Sequence, residues 1–153
     1  GITVLAVLMF IGASPGSTGG GIKTSTFFVL LQGIKSAAVN RTEKAFHNAI
    51  PKDAFRKASV ITLLAAAVVA VGTWIMSAAE PAIPLRDIVF EVISAFGTVG
   101  LSTGITSGLG IPAKLLSIAI MFIGRLGPLT VATLWHFGRA ERVSFPEGNI
   151  SIG

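Results

Sequence analysis

Residues 58–79 (ASVITLLAAAVVAVGTWIMSAA) carry no charged side chain over 22 positions. A run of that length and apolarity is read as a helix that crosses a bilayer. This constrains the rest of the chain. Segments at membrane depth must satisfy their own backbone hydrogen bonds, or else line protein or a water-filled path. Composition agrees: of 153 residues, 52% are hydrophobic and only 12% charged, against about 25% charged in a soluble domain. The formal charge of +5 is therefore read as membrane topology and not as a nucleic-acid patch. The absence of Cys excludes a disulfide framework and Cys-based metal sites. Trp74, near the outer end of the run, suits an interfacial aromatic.

On either side of this span the apolar segments are broken. Residues 1–12 (GITVLAVLMFIG) cover roughly 18 Å as a helix, too short for a hydrocarbon core of about 30 Å. Pro15, Gly16, Gly19, Gly20 and Gly21 interrupt the pattern over residues 13–26, and residues 27–38 read as helix again. One spanning helix with an unwound middle accounts for all three pieces, and ion-handling membrane proteins unwind backbone in this way. The chain opens inside an apolar run, with no basic region or cleavage pattern before it, as expected of part of a longer polypeptide. A phosphate-binding P-loop needs Gly and Lys adjacent before Ser or Thr. Here Ile22 separates Gly21 from Lys23, so ATP binding is discounted and no enzyme is expected.

Residues 35–57 hold Lys35, Arg41, Lys44, Lys52, Arg56 and Lys57 against Glu43 and Asp53. A short basic loop belongs in the cytoplasm, so the Asn40-Arg41-Thr42 triplet is not a glycosylation site. Pro51 separates this loop from the span. After the span, residues 80–84 turn outside. Residues 85–96 (LRDIVFEVISAF) form a helix of about 18 Å that cannot cross, with Asp87 and Glu91 expected at the mouth, where they attract cations. A short helix that dips in and stops at a Gly-rich turn fits a pore helix, and its carbonyl end favours a cation just beyond it. A buried connector helix fits the same pattern.

That turn is SAFGTVGLSTG, residues 94–104. Gly97 and Gly100 bracket Thr98 and Val99, and Gly-rich backbone can turn its carbonyls to one side. A row of carbonyls that replaces the hydration shell is how potassium filters work, and Thr-Val-Gly is part of their signature. Alone the triplet is a weak signal, since Thr, Val and Gly are common residues, and without context it reads first as a simple turn between helices. Residues 111–137 are expected to form one long helix of roughly 40 Å, started by Pro112 and kinked at Pro128. Lys114 can snorkel to the outer surface. Arg125 falls at the midpoint, where a cation costs about 2.5–3.5 kcal/mol and needs a partner. Arg139 and Arg142 mark a cytoplasmic tail. His47 and His136 lack the neighbours that a metal site needs.

Three blocks in order, SPGSTGGGIKTST (14–26), FEVISAFGTVGLSTGIT (90–106) and MFIGRLGPLT (121–130), resemble the Trk/Ktr/HKT superfamily of potassium transporters, and within it the KtrB-type subunits. The resemblance spans nearly the whole chain. It implies an all-α membrane protein built from helix–pore helix–helix repeats of a K⁺-channel-like fold with a broken inner helix. Residues 1–40 correspond to the inner helix of a third repeat, interrupted at 14–24. Residues 41–54 form the cytoplasmic loop, 55–138 a complete fourth repeat with its filter at 97–101, and 139–153 a cytoplasmic tail that looks like a natural C-terminus. The implied filter residues are Thr98, Val99, Gly100 and Leu101. The implied gate loop is Gly16, Ser17, Thr18, Gly19, Gly20, Gly21, Lys23 and Thr24, although composition alone would suit a second filter. Arg125 corresponds to a central Arg that faces this gate and is expected to clamp its carbonyls, the alternative being that it pairs with an acidic residue in another part of the protein.

The function implied is K⁺ uptake across the plasma (inner) membrane by a multi-pass, pore-forming subunit, passive or ion-coupled, with Na⁺ as a candidate coupling ion. No cofactor and no metal beyond K⁺ are expected. The expected partners are the lipid bilayer, the remaining repeats of the same subunit, a second copy in a homodimer and a cytosolic ring of nucleotide-binding regulatory subunits, with no nucleic acid. The competing reading is a non-conducting membrane scaffold that docks a cytosolic regulatory subunit.

Overall fold

The computed structural model describes residues 1–39, 44–45, 48–49, 52–127 and 130. Five α-helices account for most of them: α1 (Ile2–Phe10), α2 (Thr24–Val39), α3 (Lys52–Ala79), α4 (Leu85–Gly97) and α5 (Ile111–Leu126). A single 3₁₀ turn, Thr106–Gly108, lies between α4 and α5. Among the described residues, extended pairing is confined to a two-residue antiparallel pair, Lys44–Ala45 with Asn48–Ala49, in the basic loop, and an isolated bridge between Ile11 and Ile22. Residues 40–43, 46–47 and 50–51 of the basic loop and the tail at 139–153 lie outside the described residues, and so His47, His136, Arg139 and Arg142 do as well.

Helix α3 carries the uncharged run. Its portion Ala54–Ala79, 26 residues, is the one helix among the described residues long and apolar enough to cross a membrane. Small residues let its neighbours approach. A side chain at Gly72 would meet Ile120 Cδ1 at 2.6 Å and Val92 Cγ1 at 3.3 Å, so α3, α4 and α5 converge there. Gly33 serves α2 in the same way, lying flat against the Phe55 ring of α3.

Helix α4 is the centre. It packs against α1, α3 and α5, and eight of its 13 residues are buried. Phe96, Met76, Ile88 and Val92 are the largest fully buried side chains, and three of these four belong to α4. Phe96 also stacks on Phe10 of α1 with ring centroids 5.9 Å apart. The other helices keep large apolar side chains outward, among them Val4 and Leu8 on α1, Leu63 and Trp74 on α3, and Ile118 and Phe122 on α5.

Two expectations are revised. The helix expected over 111–137 breaks at Gly127: α5 stops at Leu126, capped by Gly127 with φ 89°, and residues 128–129 and 131–137 lie outside the described residues. Pro128 supplies no N–H to extend the ladder and crowds the preceding turn, and Gly127 accepts a positive φ at little cost. Arg125 therefore stands in the last turn of a helix, beside carbonyls that favour a cation, and not at mid-helix. The second revision concerns Glu91. It does not sit open at a mouth but is buried at 6% exposure.

A candidate ion-handling site beneath and beyond α4

Helix α4 ends at Thr98, which has left-handed angles, φ 51° and ψ 39°. Among the described residues it is the only non-glycine with positive φ. The Thr98 N–H donates to the Ala95 carbonyl at 3.1 Å, and the Val99 N–H to the Ser94 carbonyl at 3.0 Å. This paired closure is a Schellman cap. The left-handed cap position usually falls to Gly. Here Gly97 is spent one residue earlier, where a side chain would lie 2.6 Å from the Met9 carbonyl.

The cap uses the carbonyls of Ser94 and Ala95 and leaves those that follow. Among the described residues, no N–H or O–H donates to the carbonyls of Gly97, Thr98, Val99 or Gly100. Val99, Gly100 and Leu101 are exposed, and Gly100 has φ 81°. The expected filter residues thus form one continuous turn, with Thr98 half-buried and Val99, Gly100 and Leu101 exposed. It leaves the C-terminal end of the most buried helix, the end with partial negative charge.

The break between α1 and α2 lies against the same helix end. Its base is pinched by backbone pairing. The Gly12 N–H donates to the Ile22 carbonyl at 2.7 Å, the Ile22 N–H to Phe10 at 3.1 Å and the Thr24 N–H to Ala13 at 3.4 Å. This forms an isolated parallel bridge between Ile11 and Ile22. Above the base, Lys23 Nζ donates to the Gly19 carbonyl at 2.7 Å and the Ser17 carbonyl at 3.2 Å. The Ser17 N–H closes a turn onto Ser14 at 3.0 Å, and Ser17 Oγ accepts from the Gly19 N–H at 3.2 Å. Gly16, Ser17 and Thr18 are exposed, whereas Gly20 and Gly21 are buried.

One contact joins the two breaks. The Gly20 N–H donates to Thr98 Oγ1 at 2.9 Å across 78 residues of sequence. Glycine is required at 20, because a side chain there would lie 2.7 Å from the Phe96 carbonyl. The same carbonyl faces Gly124 of α5, where an added Cβ would collide with it. Gly20, Phe96 and Gly124 therefore form one backbone-to-backbone junction. A groove of about 400 Å³ runs alongside, lined by Met9, Gly12, Gly19, Gly20, Thr98 and Val99 among others.

Seven of the eight expected loop residues thus lie in this break and Thr24 opens α2, all on the α1 side of the Thr98 turn. Arg125 is adjacent to the junction through Gly124, but it is exposed and makes no hydrogen bond to a loop carbonyl among the described residues. Lys23, expected only as a member of the loop, is the side chain that ties it. Its signal was in the sequence: it lies four residues after Gly19 and six after Ser17, within reach of a chain folded back on itself.

Sequence reasoning also missed a polar cluster behind the turn. Glu91 Oε1 accepts from Thr106 Oγ1. The hydroxyls of Thr106 and Ser102 are 2.7 Å apart, and the Gly104 N–H donates to Ser102 Oγ at 3.0 Å. Glu80 Oε1 accepts the Gly110 N–H at 2.6 Å, at the start of α5. No set of three His, Cys, Asp or Glu side chains converges among the described residues.

The family model for TrkH cation transport proteins matches residues 1–139. The chain is 37% identical over 155 residues to the Ktr system potassium uptake protein B of Bacillus subtilis (strain 168), covering 99% of this chain and 34% of that protein. It is 40% identical to the Ktr system potassium uptake protein D of the same organism, covering 97% of this chain and 33% of that protein. It is 37% identical to the potassium/sodium uptake protein NtpJ of Enterococcus hirae, covering 100% of this chain and 36% of that protein. The chain spans about a third of the length of the curated relatives it matches.

Proposed function

The chain belongs to the TrkH family of cation transport proteins, and from that premise we propose that it is part of the pore-forming subunit of a potassium uptake system in the plasma (inner) membrane. The observation that carries this reading is the row of carbonyls at Gly97, Thr98, Val99 and Gly100, which have no hydrogen-bond donor among the described residues and follow the C-terminal end of α4. Free carbonyls cost energy in an apolar surrounding, and a dehydrated K⁺ repays that cost by taking them as ligands. In this reading α4 is the pore helix of the repeat 55–138, and Leu101 continues the filter strand.

The break at 11–23 serves as the gate. It is held against the filter by the Gly20 to Thr98 bond and closed on itself by Lys23. Arg125, one residue from the Gly124 contact with Phe96, adds positive charge at the level where loop and helix end meet, and there it opposes K⁺ passage and supports the closed loop. One filter strand cannot surround an ion. The exposed apolar faces of α1, α3 and α5 are therefore assigned to lipid and to further repeats of the same polypeptide. The basic loop at 41–54 and the tail at 139–153 face the cytoplasm by the positive-inside rule, where a regulatory nucleotide-binding ring and a second copy of the subunit would dock. Na⁺ enters as a coupling ion by similarity to the potassium/sodium uptake protein of E. hirae.

The test is K⁺ flux into proteoliposomes that hold the purified full-length protein. Uptake above that of empty vesicles, with K⁺ preferred to Na⁺, is the expected result. A folded, membrane-inserted protein that binds a cytosolic partner yet passes no cation would establish the scaffold reading instead.

A further inference from the structure

Glu91 is a buried carboxylate that the transport reading leaves without a task. It is 6% exposed; among the described residues its Oε2 is buried with no hydrogen-bond partner and its Oε1 accepts from Thr106 alone. An apolar residue would fill the same place on α4 without an orphaned oxygen, so the remaining bond must do something that packing cannot.

The direction of the cluster can be worked out. The Gly104 N–H can only donate, so Ser102 Oγ accepts from it. A hydroxyl has one proton. With Glu91 ionised, Thr106 spends its proton on Glu91 Oε1, and the 2.7 Å contact between the two hydroxyls is then Ser102 donating to Thr106. The protons run one way, from Gly104 through Ser102 and Thr106, and end at a group that must be an acceptor. A carboxylate oxygen ends the relay; a leucine could not.

This relay is the tie between α4 and the strand that follows Gly100. Among the described residues, residues 100–103 make no backbone–backbone hydrogen bond. Beyond the Schellman cap at Val99, among the described residues Ser102 and Gly104 are hydrogen-bonded to the packed body only through Thr106 and Glu91. Ile105 and Leu109 then anchor the far end by apolar packing.

We infer that Glu91 is a positioning residue for ion selectivity: through Thr106 and Ser102 it fixes the strand beyond Gly100 against the pore helix, and with it the spacing of the filter carbonyls. The inference rests on the transport reading and deepens it.

The test uses the full-length protein in proteoliposomes and measures the K⁺/Na⁺ uptake ratio. Thr106→Val keeps the shape and removes the hydroxyl, and Glu91→Ala removes the acceptor. Each is expected to lower the ratio about tenfold, as the loss of one bond to a charged group allows. The double variant should be no worse than either single one, because both break the same chain. Glu91→Gln keeps an acceptor oxygen and should restore most of the ratio, which a purely electrostatic role would not permit. Should Glu91→Ala fail to accumulate, Thr106→Val and Ser102→Ala decide. A wild-type ratio in Thr106→Val, or additive losses in the double variant, would overturn the inference while leaving the transport reading standing. Absence of K⁺ uptake by the unsubstituted protein would overturn the transport reading itself.

Discussion

The chain has two Gly-rich breaks that look alike in sequence and differ in what becomes of their carbonyls. In the break between α1 and α2, the carbonyls of Phe10, Ala13, Ser14, Ser17, Gly19 and Ile22 accept hydrogen bonds and tie the loop at intervals, while those of Ile11, Gly12, Pro15, Gly16, Thr18, Gly20 and Gly21 accept none among the described residues. In the turn after α4, the four successive carbonyls of Gly97, Thr98, Val99 and Gly100 accept none among the described residues. Composition cannot separate the two, since Gly, Ser and Thr dominate both. What separates them is the company of a lysine and a pairing strand in one case and their absence in the other. Backbone whose carbonyls are taken can obstruct a path. Backbone whose carbonyls are free can replace water around a cation.

The largest expected effect strikes the junction that both breaks share. Gly124→Val places a side chain against the backbone of Phe96, which a packed core relieves only by shifting α5, at a cost of about 1–3 kcal/mol or more. The full-length variant should lose K⁺ uptake and melt at a lower temperature. Unchanged melting and uptake would show that the backbone junction is not needed.

Next comes Gly100→Ser, which asks whether the free turn is a filter. Nothing lies within 4 Å of a side chain at 100, so the effect is backbone strain alone. At φ 81° a non-glycine costs about 1–2 kcal/mol, enough to reduce K⁺ over Na⁺ discrimination roughly tenfold. Retained discrimination in competition uptake would reduce Gly100 to a turn residue.

Lys23→Met addresses the other break. It removes the tie on Ser17 and Gly19 while keeping the length of the side chain. K⁺ flux should rise a few-fold, in keeping with the loss of two partly exposed charge-assisted bonds, with selectivity unchanged. A fall in flux at normal expression would count against the loop as a barrier. Arg125→Ala should act in the same direction but less, under about twofold, because no hydrogen bond from Arg125 to the loop has to be broken. A larger rise than that of Lys23→Met would restore Arg125 as the main clamp.

Much of this arrangement can be read from the residues. The uncharged run makes α3. The glycines and Pro15 place the first break, and the short run at 85–96 yields α4 within one residue of its end. Local signals suffice for these because each element is decided by its own length, periodicity and breakers. The misreadings are non-local or hinge on one residue. Glu91 follows Asp87 by four positions and shares its helix face, so both read as mouth carboxylates. Only the return of Thr106, 15 positions on, shows that Glu91 turns inward. The end of α5 depends on Gly127 taking a left-handed angle ahead of Pro128, where an apolar count alone carries the helix past it. Arg125 draws attention as an expensive charge, whereas Lys23, which holds the loop carbonyls, looks ordinary beside three glycines.

The difference between the breaks is tested most directly by locating the ion. Crystals of the full-length protein grown with Rb⁺ in place of K⁺ should show anomalous density at the carbonyls of Thr98, Val99 and Gly100, and none at those of Ser17 and Gly19. Rb⁺ bound within the loop, with the turn after α4 left unoccupied, would contradict the assignment of filter and gate.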